Sequence, residues 1–291
     1  MKTSLECIPC FLRQALDAAR LAGTDPSVHE AVLRKVMDLA SRMDLTQAPP
    51  LTGQKIHRII RVLTGGGDPY RAIKERYNRF ALGLYPELKQ RVRLAEDPFA
   101  TAVRLAIAGN LIDFGVCSDL SEDDVRRELE ATLSAPIDAE ALETFRRAVD
   151  VARHVFYIAD NAGEIVFDRL LIEQMLPRKV TLAVRGHAVI NDATREDARA
   201  AGLTDLVEEV VDNGGDVPGV LLGDVPETFR RAFDQADVVV AKGQGNYETL
   251  SDAPREVFFL VKAKCPVIAD DIGCKTGAVV VTRRVPAERV T

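Results

Sequence analysis

Asp160-Asn161, in the run Asp160-Asn161-Ala162-Gly163-Glu164, sets a carboxylate beside an amide carbonyl. Both are hard oxygen donors of the kind that hold Mg²⁺ or Mn²⁺ rather than a soft metal. Asn191-Asp192 repeats the pair, so Asp192 can add a third oxygen ligand and leave positions open for water and substrate. Each pair has a structural alternative: Asp160 can cap a following helix, and Asn191-Asp192 can form a turn and N-cap. Lys242-Gly243-Gln244-Gly245-Asn246 puts a cation next to glycines whose backbone N–H groups can approach a phosphate. It lacks the third glycine of a dinucleotide fingerprint, and an ordinary Gly-rich turn with a solvated lysine fits it as well. Asn110 and Asp113 stand at i and i+3 on an otherwise apolar helix, where polar groups either satisfy each other or face a cleft. Cys7-Ile8-Pro9-Cys10 opens a helix, a position that lowers a thiol pKa, and it suits a structural or redox-sensitive pair better than a catalytic one. His187 reads as a turn residue rather than a ligand.

These residues need a frame that brings them together. From about residue 8 to residue 151 the apolar residues recur at three and four, as in Ile56, Ile59, Ile60 and Leu63, which predicts six or seven helices. From about residue 153 short Val- and Ile-rich runs alternate with helical stretches, the mark of strands in a buried, mostly parallel sheet. The expected strands are 154–159, 180–184, 206–211, 237–241, 257–261, 267–269 and 278–281, with helices over 164–175, 194–201 and 226–236. Ligands of such sheets bind beyond the carboxyl ends of the strands. Asp160, Arg185, Asp212-Asn213, Lys242 and Asp270-Asp271 each follow one of these runs and would share one rim. The expected division is a helical domain over 1–152 and an α/β domain carrying the metal site over 153–291.

Composition excludes several classes. Thirty-eight basic residues against 44 acidic ones give a net charge of -6, with no basic stripe, so nucleic acid and anionic membranes are poor partners. Aromatic residues make up 5% and tryptophan is absent, too little for a platform that stacks bases. No run reaches the roughly 20 apolar residues of a membrane span. The first twenty residues have no uninterrupted apolar stretch, and five cysteines form no disulfide framework, so a cytoplasmic protein is expected.

Taken in order, Cys7-x-x-Cys10, Ala108-Gly109-Asn110-x-x-Asp113, Asp160-Asn161-x-Gly163-Glu164, Arg185 with Asn191-Asp192, and Lys242-Gly243-x-x-Asn246-Tyr247-Glu248 resemble the metal-dependent damage-control phosphatase family. This is the family long catalogued as domain of unknown function eighty-nine, and the CxxC resembles its prokaryotic branch. The resemblance implies a helical N-terminal domain on a Rossmann-like α/β/α core, with a divalent metal (Mn, Co, Ni or Mg) between substrate and sheet. It implies Asp160, Asn161 and Asp192 as metal ligands, and Lys242 and Arg185 as phosphate contacts. Glu164, Asn246, Asn110 and Asp113 come out as substrate-pocket residues, with Glu164, Asp160, Arg185 and Lys242 catalytic. Gln244 and Gly245 replace the Asp and Leu of some eukaryotic members. The implied reaction is hydrolysis of a small phosphorylated metabolite, such as a sugar phosphate, by water that the cation acidifies. Covalent attack by Asp160 is the rival route, without the Asp-x-Asp pattern of aspartyl-phosphate phosphatases. A carboxyl O-methyltransferase would be expected to show a Gly-rich loop after the first strand, and a non-enzymatic phosphometabolite-binding protein would not need three oxygen ligands.

Overall fold

The computed structural model describes residues 1–23, 25–109 and 122–286. Seven helices come first among the described residues: α1 (Cys7–Leu21), α2 (Pro26–Ser41), α3 (Pro49–Leu63), α4 (Arg71–Leu94), α5 (Pro98–Gly109), α6 (Glu122–Ser134) and α7 (Ala139–Val151). Two of them start on an aspartate cap. Asp25 accepts from the N–H groups of Ser27 and Val28 ahead of Pro26, and Asp138 does the same for Glu140 and Ala141.

Strand and helix then alternate: β1 (His154–Ile158), α8 (Glu164–Met175), β2 (Lys179–Val184), α9 (Arg195–Ala200), β3 (Glu209–Asp212), α10 (Glu227–Gln235), β4 (Val238–Lys242), α11 (Gly243–Leu250), β5 (Val257–Lys262), α12 (Pro266–Ile272) and β6 (Val279–Arg284). The sheet order is β3-β2-β1-β4-β5-β6, parallel except for β6, which runs against β5. The chain winds outward from β1 in both directions, so the strand order reverses between β1 and β4. A crevice opens at such a point beyond the strands' carboxyl ends.

Both faces of the sheet are covered. Val155, Tyr157, Leu182 and Val240 pack with residues of α4, α5, α7 and α8. Phe156, Ile158, Val239 and Phe259 pack with Phe229, Phe233, Tyr247 and Ile268 on the other side. The first core runs across residue 152: Phe145 of α7 lies 5.6 Å from Phe99 of α5 and 5.3 Å from Phe258 of β5, ring centre to ring centre. A third cluster joins α1, α2 and α3, and Ile190 from the α/β half packs against it.

One expected strand is a helix. Val267–Ala269 lies inside α12, which begins with Pro266 after an extended Cys265 and ends at Gly273 in the left-handed region, φ 86°. Pro at the first position and Gly just past the end outweigh a three-residue apolar run. Asp270 and Asp271 are therefore exposed helix residues rather than part of the rim, and Asp271 accepts a hydrogen bond from the Tyr247 hydroxyl at 2.7 Å. The Lys242 segment differs as well, because Gly243 starts a helix instead of a Gly-rich loop.

Candidate active site

The two Asn/Asp pairs meet at the carboxyl ends of β1 and β2. Ala193 N–H donates to the Asp160 carbonyl at 2.7 Å, Ala162 N–H donates to the Asn191 carbonyl at 2.8 Å, and Asn161 and Asp192 form a backbone bridge. Neither pair caps a helix. The N-cap of α8 is Gly163, at φ 76°, with no side-chain cap, and α9 has its own capping box from Thr194 and Asp197. That removes the capping alternative for Asp160 and for Asn191-Asp192. Ile190 just before the second pair has φ 44°, a strained conformation for a β-branched residue, and its side chain is held in the helical cluster.

The buried polar groups form one connected chain. Arg185 donates from Nε to Asp192 Oδ2 at 2.6 Å and stands 3.6 Å from Asp160 Oδ1. Asn161 Nδ2 donates to Asp160 Oδ2 at 2.9 Å and to Glu164 Oε2 at 3.0 Å. Lys242 Nζ donates to Glu164 Oε1 at 2.6 Å, Asp168 Oδ1 at 2.7 Å and the Ala106 carbonyl of α5 at 2.7 Å. The Tyr157 hydroxyl donates to the same Asp168 oxygen at 2.8 Å. Asn246 Nδ2 ties α11 to β1 and β4 through the carbonyls of Ala159 and Lys242.

Lys242 is thus neither a solvated lysine nor poised on a phosphate. It is fully buried, and its three ammonium protons are committed to three acceptors. Burial works against its charge, yet Asp168 and Glu164 raise its pKa overall. Burial pushes Asp168 up to about 6 in spite of the ammonium beside it, and it pushes the Tyr157 hydroxyl well above its usual range.

Other polar atoms in this region are buried without a hydrogen-bond partner among the described residues: both Nη atoms of Arg185, Nδ2 of Asn191 and Oδ1 of Asn246. Unmet buried donors and acceptors are costly, and in a cleft they mark where a ligand makes the missing bonds. A hard divalent cation fits the chemistry of the region. Among the described residues, four buried acids, Asp160, Glu164, Asp168 and Asp192, stand with two buried cations, Arg185 and Lys242, a formal excess of two negative charges. The ligand cage is not preassembled, since among the described residues no three His, Cys, Asp or Glu side chains gather around a common point.

The helical half supports this arrangement. Asn78 of α4 accepts from Gly163 N–H at 2.7 Å and donates to Asp197 at 2.7 Å, while the buried Lys74 pairs with Asp197 at 2.8 Å. Gln54 and Arg58 of α3 bind Asp216 at 2.7 and 2.6 Å, and Arg61 binds it too while also reaching the Ala188 carbonyl. Gly245 answers to geometry: a Cβ there would stand 2.2 Å from the Pro218 carbonyl oxygen, so the leucine of some eukaryotic members has no room in this chain.

Not every expected residue joins the site. Asn110 and Asp113 lie outside the described residues. His187 is exposed, in keeping with a turn. Cys7 begins α1, but burial raises its thiol pKa rather than lowering it, and Cys10 is exposed. Sequence reasoning passed over Asp168 and Asn78. Asp168 carried a signal, a second carboxylate four residues after Glu164 and set among apolar residues of the same helix. Asn78 carried none, because its role depends on the approach of α4 to the β1–α8 turn.

A sequence model of the damage-control phosphatase ARMT1-like domain matches residues 3–280. A protein of Archaeoglobus fulgidus named damage-control phosphatase is 35% identical over 285 residues, spanning 96% of this chain and 98% of its own. A damage-control phosphatase of Pyrococcus horikoshii is 34% identical over 288 residues, spanning 97% and 98%. The crystal structure of a protein of the domain of unknown function 89 family from Pyrococcus horikoshii superposes with a TM-score of 0.87 at 34% identity, covering 98% of this chain and 99% of that one.

Proposed function

This chain belongs to the damage-control phosphatase ARMT1-like domain family, and from that premise we propose that it hydrolyses small phosphate esters, sugar phosphates or damaged phosphometabolites, with a divalent cation held by Asp160, Asn161 and Asp192. The observation that carries the proposed metal site is the excess of carboxylate over cation among the described buried residues, beside unmet donors: the four acidic residues are buried, and both Nη atoms of Arg185 lack a partner among the described residues. When bound, the cation supplies Lewis acidity toward a phosphoryl oxygen and makes an attacking water more acidic.

The chain's own residues do the rest. The Arg185 guanidinium presents its two Nη groups to phosphoryl oxygens and stabilises the charge that grows on them in the transition state. Lys242 acts through Glu164, holding that carboxylate in place by a short bond that needs no solvent. Asn161 links Glu164 to Asp160, so these two acidic side chains keep one geometry. Asn246 offers its unmet Oδ1 to a substrate hydroxyl. The loop after β1 is acidic rather than Gly-rich, which favours this chemistry over methyl transfer.

The test is phosphate release from p-nitrophenyl phosphate and a panel of sugar phosphates, with Mg²⁺, Mn²⁺, Co²⁺ or Ni²⁺ and with excess chelator. Chelation should abolish turnover, and Asp160→Ala should lower kcat by at least about 100-fold. Phosphate release that survives both treatments would sink the proposal.

A further inference from the structure

We infer that Arg185 couples cation binding to anion binding: it occupies the two carboxylates when the cation is absent, and cation entry hands its guanidinium over to the phosphate. The inference rests on the reading above that Asp160, Asn161 and Asp192 hold a divalent cation.

A structural arginine buried beside a carboxylate usually presents its planar fork to that one group, two parallel bonds to two oxygens. Arg185 does something else. Its side chain is 1% exposed, it gives Asp192 a single bond from Nε, and its nearest approach to Asp160 is 3.6 Å. The guanidinium is strung between two acids and saturated by neither, with both Nη atoms unmet among the described residues. The other cation of this polar chain cannot exchange roles with it, because Lys242 has all its protons engaged away from this pair.

Two positive charges cannot share the space between Asp160 and Asp192 without repulsion. A cation binding both carboxylates weakens the hold of Arg185 on them, and a tetrahedral oxyanion beside the cation meets the two Nη donors in the geometry a guanidinium favours. Arg185 therefore opposes the metal alone and assists the metal with phosphate. By linkage, each ligand then strengthens the other.

Mn²⁺ binding, read from the paramagnetic resonance signal of the free ion with and without inorganic phosphate, separates the possibilities. In the wild type, phosphate should tighten Mn²⁺ binding by about tenfold. Arg185→Gln, which removes the competitor, should bind Mn²⁺ alone several-fold tighter than the wild type, and phosphate should add much less to it. Arg185→Lys keeps the charge without the fork; it should match the wild type for Mn²⁺ alone and lose most of the phosphate gain. The lysine variant decides the case if circular dichroism shows that the glutamine variant is unfolded. If Arg185→Gln binds Mn²⁺ no tighter than the wild type, or if either variant keeps the full phosphate gain, the coupling role is overturned while the metal site stands. A wild type that binds no Mn²⁺ under either condition would overturn the metal site and the coupling together.

Discussion

Asp168 shows how much a single buried charge can hold. It sits at the end of the polar chain, accepting from Lys242 and Tyr157, and its removal leaves the Lys242 ammonium with one carboxylate inside the core. Asp168→Asn should lower stability by about 3 kcal/mol, measured by urea unfolding. An unchanged midpoint would mean that Glu164 alone suffices. His57 is the complementary case. It is buried with Nε2 unpaired among the described residues, and burial, with Arg61 adding to it, lowers its pKa to about 4. Between about pH 6.5 and 4 the unfolded chain binds a proton that the folded one does not, so stability is full above this window and falls as pH drops through it. Fully developed, the loss is about 3 kcal/mol. His57→Gln should flatten the pH dependence of Tm across that window, and a slope equal to that of the wild type would refute the assignment. The places of Asp160, Asn161 and Arg185 at strand ends were legible in the sequence because they follow the apolar runs that become β1 and β2. The bonds of Lys242 were not, because a lysine after a strand reads the same whether its head meets water or three buried acceptors.

The elements that position these residues were legible to the degree that local signals stood alone. The helix over 164–175 and the run at 154–159 match α8 and β1 closely, since a long apolar pattern with an acidic start has few rivals. The segment 267–269 misled because three apolar residues fit a strand or a buried helix equally, and only the flanking Pro266 and Gly273 decide. Nothing local shows that α4 reaches the β1–α8 turn. The Asn78 amide makes that reach specific, donating to Asp197 and accepting from Gly163 N–H, both in buried surroundings. Asn78→Ala leaves both partners without it, which should cost about 2 kcal/mol by thermal unfolding. It should also lower kcat more than it raises KM, because the turn carrying Asp160 to Glu164 loosens while the donors of Arg185 stay in place. A stability loss with unchanged kcat would confine α4 to a structural role.

The negative charge of the chain and the division at residue 152 both look different once packing is considered. A net charge of -6 disfavours a polyanion, yet part of that excess is buried at the carboxyl ends of the strands, where the proposed divalent cation would cancel the formal imbalance of two among the described residues. The periodicity changes near residue 152, but the core does not stop there. Phe145 joins α5 to β5, and the Ala106 carbonyl of α5 completes the shell of Lys242. A ligand bound at the edge therefore stabilises helices and sheet together, as one cooperative unit. At 100 times its Kd, Mn²⁺ should add about 2.7 kcal/mol to the native state. In a chain of this size that amounts to about 4 °C in Tm. Scanning calorimetry should show a single transition that moves up intact with Mn²⁺ and returns with excess chelator, and Asp160→Asn should abolish the shift. Two transitions, of which only one responds to the metal, would mean that the halves unfold separately and that the core shared across residue 152 does not bind them into one unit.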